Sequence, residues 1–271
     1  MTTPRISALV SDVDGTVVNS AKDVTARTQK AVAELQARGI KFAIISGRPP
    51  KGMLMFVDSL KITTPITGFN GGAFTREDMT ILEERLVPPK IAHRTFDFLE
   101  KKGVDIWVYS AGEWLIRDPK AAHVEHEEFT VKFAPKVVPD FDKALEAAHK
   151  IVGVSDDLDL LAKCETETQA LLGADASATR SQPYYLDVTN PLANKGAAVV
   201  TLARLMGVSL AETAVIGDSN NDVSMFAKSP FSIAMGNASD SVKKQARFVT
   251  ASNDEEGIAK AIEKYLLGGS A

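Results

Sequence analysis

Three short apolar runs rich in β-branched residues punctuate the chain: ISALV at 6–10, FAII at 42–45 and TAVI at 213–216. Each passes directly into polar residues. Apolar runs of this length without polar alternation predict strands buried on both faces of a parallel sheet. Between the first two, DVTARTQKAVAELQARG places Val24, Ala31, Val32 and Leu35 at mostly helical spacing, with Thr25 positioned to cap the start and Gly39 to end it. Strand, helix, strand is the building unit of a parallel sheet.

The alternation resumes near the C-terminus. NKGAAVVTLARLMG predicts a helix, TAVIG a strand, NDVSMFAK a helix, FSIAMG a strand and DEEGIAKAIEKYLLG a closing helix. The middle differs: VDIWVYSAGEWLIRD alternates in two halves about Ala111 and Gly112, the pattern of an antiparallel hairpin. Helical stretches are expected near 90–102, 140–150 and 156–172, interleaved with short strands. Prolines mark both edges of this region, in LVPPK at 86–90 and DVTNPLANK at 187–195. The expected architecture is α/β, a Rossmann-like parallel-sheet core of residues 1–86 and 188–271 with an α+β module, 87–187, inserted into it. No internal repeat occurs, and no low-complexity segment is longer than the GGSA tail.

In an open parallel sheet, ligands bind beyond the carboxyl ends of the strands. Asp12 and Asp14 follow the first predicted strand; Ser46, Gly47 and Arg48 the second; Asp218, Asn221 and Asp222 the third. If the strands are parallel, these groups share one rim. Asp12, Asp14, Asp218 and Asp222 would then crowd four carboxylates, which near neutrality requires a divalent cation or protonation. An all-oxygen set suits Mg²⁺, whereas zinc or copper would want histidine or thiolate. A calcium loop does not fit: with Asp12 first, Val17 stands sixth and Asp23 twelfth, where glycine and glutamate are needed. A plain polar turn would explain an isolated DxDG, but not the second and third polar clusters. Lys195 begins a predicted helix capped by Asn194, where its charge and the free amides favour an anion. Ser46 could add a hydroxyl and a backbone N–H. Together these residues describe a phosphate cradle facing a magnesium site.

Charge and cysteine content narrow the partners. The formal net charge of −4 leaves no basic field to draw nucleic acid or an anionic membrane, so a phosphate-bearing partner must be held locally. The single Cys164 cannot form an internal disulfide, and MTTPRISALV lacks the pattern of a secretory leader, so a reduced, cytoplasmic compartment is expected. No apolar run approaches the roughly 20 residues of a membrane span. A monomer or homodimer is expected.

DVDGT (12–16), SGR (46–48), NKG (194–196) and GDSNND (217–222), in this order, resemble the four motifs of the haloacid dehalogenase superfamily of phosphohydrolases. GDSNNDVSM, the following AMGNA at 234–238 and an insert between the second and third motifs look most like the Cof-type subgroup with its large C2 cap. The likeness covers the core and only loosely the insert. It implies that Asp12 is a nucleophile forming an aspartyl-phosphate and that Asp14 is the acid and base. It further implies Mg²⁺ held by Asp12, Asp218 and the backbone carbonyl of Asp14, and a phosphate held by Ser46, Gly47 and Lys195. Asn221 and Asp222 would support that shell. NGG at 70–72 stands where the subgroup usually has NGA, in a loop that faces the entrance in relatives, so Arg48, Asn70 and Gly71 become candidate entrance residues. The implied substrate is a small phosphorylated metabolite, foremost a sugar phosphate. A phosphomannomutase-like phosphoryl-transfer mutase is the nearest alternative, and a non-catalytic phospho-acceptor or sensor the next.

Weaker signals remain. His123 and His126 in HVEHEE could bind a metal but lack the HExxH order, and a solvated helix face explains them better. Trp107, Tyr109 and Trp114 flank the hairpin and suit core packing more than a sugar platform. Arg48 and Lys51 could steer phosphate or be solvated loop charges. No Walker A or GxGxxG sequence occurs.

Overall fold

A computed structural model describes residues 6–268, which build two β-sheets. The larger runs, in spatial order, Phe248–Val249, Phe231–Ala234, Thr213–Gly217, Ala8–Asp12, Lys41–Ile45, Ile66–Gly68, Ala73–Thr75 and Ile81–Glu84. Neighbours are parallel up to Ile66–Gly68, and the last two strands are antiparallel additions. The three expected strands are present. The first lies two residues later than its apolar letters suggest, so Ser11 and Asp12 belong to the strand, with Asp12 opposite Ile45.

That shift decides where Asp12 points. Side chains alternate across a strand, and Leu9 packs with Phe42, Ile44 and Ile216 on the face covered by the helix Ala26–Ala37 and the C-terminal helical turns. Ala8 and Val10 pack on the other face against Ala198, Val199 and Leu202 of the helix Lys195–Met206. Asp12 shares the parity of Ala8 and Val10, and so faces the helix whose first residue is Lys195. That helix starts where Asn194 Oδ1 accepts from the Ala197 N–H at 2.9 Å, and it ends at the left-handed Gly207.

Two C-terminal expectations change in detail. NDVSMFAK forms a 3₁₀ turn, Asn220–Asp222, and a short helix, Val223–Phe226, rather than one continuous helix. The closing segment is helical over Gly257–Ala261 and widens into a π turn over Ile262–Leu266.

The second sheet runs Ser177–Gln182, Tyr185–Thr189, Ala148–Val154, Asp105–Ser110, Glu113–Ile116 and Lys136–Val137, antiparallel except at the last pair. The hairpin turns at Ala111 and Gly112 as expected, both at positive φ. The helix expected over 140–150 is not formed: only Asp142–Leu145 is helical, and Ala148–Val154 is a strand paired on both sides. Good local helix formers there yield to two long-range ladders, a tertiary override of propensity.

Helices Pro89–Lys101 and Leu158–Leu172 cover one face of this sheet, over Ile106, Val108, Ile151, Leu186 and Val188. The opposite face carries Trp107, Tyr109, Trp114, Val152 and Val154 against the helix Val124–Val131 and against Phe69 of the core. The three aromatics are therefore buried core residues. His123 pairs with Asp156 at 2.8 Å and stacks on Tyr184, which accounts for it without a metal.

The chain crosses between the sheets twice, side by side. Val87 N–H donates to Ala148 O, and Asn190 Nδ2 donates to Leu86 O, both at 2.8 Å. Phe69, beyond the strand Ile66–Gly68, stacks on His149 of the second sheet at 5.4 Å. No helix among the described residues is long and apolar enough to cross a membrane.

Candidate active site

Parallel strands in register bring the carboxyl ends of Ala8–Asp12, Lys41–Ile45 and Thr213–Gly217 to one rim. Lys195 lies at its centre, only 1% exposed, and its Nζ donates to Asp12 Oδ1 and to Asp222 Oδ1, the latter at 2.6 Å. Asp222 is spent on structure. Its Oδ2 accepts from the N–H groups of Asp218 and Ser219, both at 2.9 Å, and from Ser219 Oγ at 3.2 Å. This cap is what tightens the chain after Thr213–Gly217 into a 3₁₀ turn. Asp218 stands beside it, receiving Thr16 Oγ1 at 3.4 Å and Asn237 Nδ2 at 3.2 Å. Gly15 makes room for this approach: it sits at φ +79°, and a Cβ there would collide with Asp218 Oδ2.

The carboxylates outnumber the cation. Asp12, Asp218 and Asp222 each place an oxygen within 4.8 Å of the others. Burial pushes the Asp12 carboxyl well above the usual range, and the charges of Asp222 and Asp218 push it further, against the pull of Lys195. Asp218 is raised by its own burial and by Asp222. A site so short of positive charge fits a hard divalent cation with oxygen ligands. Asp222 is committed through short bonds to Lys195 and the backbone, whereas Asp218 accepts only longer ones, at 3.2 and 3.4 Å, and Asp12 is bonded through Oδ1, so Asp12 and Asp218 are the carboxylates with an oxygen to offer.

Asp14 stands apart from this cluster. Arg48 grips it in a bidentate pair, Nε to Oδ2 at 2.8 Å and Nη2 to Oδ1 at 2.7 Å, and Lys22 Nζ adds a bond at 2.8 Å. Burial would raise the Asp14 carboxyl, but these hydrogen bonds and charges outweigh it and hold the group at about 2. Arg48 is 6% exposed and also donates to Thr130 O on the helix Val124–Val131. It is therefore neither a solvated loop charge nor a free group at an entrance. It ties Asp14 to the helix Val124–Val131.

The remaining expected residues divide. Ser46 is buried at the rim; its N–H is already given to Thr67 O at 3.1 Å, and its Oγ accepts from the Arg48 N–H, so only its hydroxyl proton is left to offer a ligand. Gly47, Asn70, Lys195 and Asn221 line a cavity of about 660 Å³ between the core rim and the second sheet. Asn70 is held at φ +56°, and its buried Oδ1 has no partner. Gly71 turns the other way: a Cβ there would meet Ala198 Cβ at 2.8 Å, so this glycine serves close packing against the Lys195 helix rather than an entrance.

Several contributors were not singled out from the sequence. Asn237 follows the strand Phe231–Ala234, and the same strand-tip rule would have found it. Thr16 sits inside DVDGT and needed only a partner. Lys22 and the cavity residues Lys150 and Asp187 carry no local signal.

Residues 9–262 match a family model described as haloacid dehalogenase-like hydrolase. A 5-amino-6-(5-phospho-D-ribitylamino)uracil phosphatase of Bacillus subtilis is 27% identical, over 97% of this chain and 99% of its own. A pyridoxal phosphate phosphatase of Escherichia coli is 24% identical, over 98% and 100%. Among solved structures, a haloacid dehalogenase-like hydrolase from Bacteroides thetaiotaomicron is similar with a TM-score of 0.89 at 28% identity, covering 96% of this chain and 99% of that one.

Proposed function

This chain belongs to the haloacid dehalogenase-like hydrolases, and on that premise we propose that it is a Mg²⁺-dependent phosphatase of a small phosphorylated metabolite, foremost a sugar phosphate. The observation that carries this reading is the convergence of Asp12, Asp218 and Asp222 on the buried Lys195 at the wall of a cavity. The free oxygen of Asp12 attacks phosphorus and the bond to the leaving alcohol breaks, giving an aspartyl-phosphate. Water then attacks the same phosphorus, releases inorganic phosphate and regenerates Asp12. Lys195 faces the phosphoryl oxygens as a fixed counter-charge and costs no reorganisation, because Asp222 already anchors it. A divalent cation held by Asp12 and Asp218 would supply the further positive charge that two meeting anions need.

Asp14 is the proton carrier in this proposal. Held by Arg48 and Lys22 it is ionised, the state required to take a proton from the attacking water. To protonate the leaving alcohol it must first shed one of those cations and take up a proton from water. The contact of Arg48 with Thr130 O makes the inserted unit, which we take as residues 87–187, the natural agent of that release. A cap that moves over the substrate would thus ready the acid.

The test is release of inorganic phosphate from a panel of phosphate esters with Mg²⁺ and with a chelator. The expected result is turnover that the chelator abolishes and Mg²⁺ restores. Turnover indifferent to chelation would overturn the metal assignment. Isomerised sugar phosphate without free phosphate would favour a mutase, and a stable phospho-enzyme without turnover a phospho-acceptor.

A further inference from the structure

The core-facing side of the second sheet is apolar over most of its area, with Trp107, Tyr109, Val152 and Val154 in one packed cluster. It changes character at one corner. Lys150 shares the parity of Val152 and Val154 on the strand Ala148–Val154, and Asp187 is the register partner of Val152 on the adjacent strand. Both line the 660 Å³ cavity across from Lys195. The opposite face keeps Ile151, Leu186 and Val188 without interruption under its helices.

A charged pair in that corner is poorly explained by stability. Lys150 is 8% exposed, and among the described residues its only side-chain hydrogen bond is Nζ to Asp187 Oδ2 at 3.2 Å. Asp187 Oδ1 is buried without a partner, as is Asn70 Oδ1, which borders the same cavity. A buried ion pair roughly breaks even against apolar residues when fully satisfied, and this one is not. An ammonium carries three donors; Lys150 Nζ also lies over the Tyr109 ring, 5.0 Å from its centroid, but two of its N–H groups have no hydrogen-bond acceptor beside the unpaired oxygens.

The geometry points to Lys150 and Asp187 as specificity-determining residues that read hydroxyl groups on the leaving half of the substrate; this rests on the phosphatase reading above. A hydroxyl both donates and accepts, so neighbouring hydroxyls satisfy Lys150 Nζ and Asp187 Oδ1 at once. An aromatic ring would find only Phe69 among the cavity's side chains for stacking. The substrate class is therefore a polyhydroxylated phosphate monoester, a sugar or alditol phosphate, rather than a phosphorylated heterocycle.

The test uses the Mg²⁺-loaded full chain and compares kcat/KM for hexose 6-phosphates and pentitol 5-phosphates with that for n-hexyl phosphate and p-nitrophenyl phosphate. The wild type is expected to favour the polyol esters over n-hexyl phosphate. In Lys150→Met and Asp187→Asn that preference, taken as a ratio of kcat/KM values, should fall roughly 10- to 100-fold, the worth of one hydrogen bond to a charged group. The wild-type comparison stands even if a variant fails to fold. No turnover of any ester would overturn the phosphatase reading and this inference with it. Turnover of all four classes with no preference for the polyols, or a preference unchanged in both variants, would overturn the hydroxyl-reading role alone.

Discussion

Replacing Lys195 with methionine removes the one cation buried among three carboxylates. Lys195 is 1% exposed and bonds Asp12 and Asp222 directly; breaking a buried pair by deleting one partner costs about 3–5 kcal/mol. At about 2–4 °C per kcal/mol for a protein of this size, the melting temperature in chelator should fall by about 6–20 °C. The loss should also depend on pH. The folded Asp12 carboxyl is raised above its unfolded value, so above about pH 4 the folded state holds the proton that the unfolded chain has lost, and stability declines as pH rises toward the raised value. Lys195 opposes that rise, so its removal extends the window upward. The difference between wild type and Lys195→Met should therefore widen once pH passes the wild-type Asp12 value, and added Mg²⁺ should narrow it by binding the folded state. Phosphate release should drop by about 10²–10³-fold in the variant. Thermal denaturation across pH, with and without Mg²⁺, reads all but the last effect. A difference below about 3 °C, or one that shrinks as pH rises, would refute the reasoning.

Two further perturbations test neighbouring parts of the site. Gly15→Ala forces a side chain into a left-handed conformation and onto Asp218; it should cost about 1–3 kcal/mol and weaken Mg²⁺ binding measured by titration calorimetry, and unchanged affinity would show that Asp218 does not need this approach. Asp14, held at about 2 despite burial, contributes stability that is present above about pH 4 and lost as pH falls toward 2. After allowance for its partial exposure this amounts to roughly 1–2 kcal/mol, so urea denaturation of Asp14→Asn should show a flatter acid limb than the wild type.

The core was legible in the sequence because its strands are buried on both faces, which leaves uninterrupted apolar runs, and because parallel pairing sends the residues after each run to one rim. Asp12, Asp218 and Asp222 were within reach of that rule, and Lys195 of the helix start that Asn194 caps. The second sheet was harder. Ala148–Val154 contains His149 and Lys150 after a run of helix formers, and only its two flanking ladders make it a strand. The grip of Arg48 on Asp14 joins residues 34 positions apart, and nothing in SGRPP announces it. Ser46 was credited with an N–H that the neighbouring strand already uses. Lys150 and Asp187 become notable only once the apolar surface around them is known.

The most direct test of the central claim is to trap the enzyme during turnover. Asp14→Asn should slow the second displacement, so brief exposure to a labelled phosphate ester in Mg²⁺, followed by acid quench and peptide mass spectrometry, should place the phosphoryl group on Asp12. Label on any other residue, or undiminished turnover in Asp12→Asn, would contradict the account.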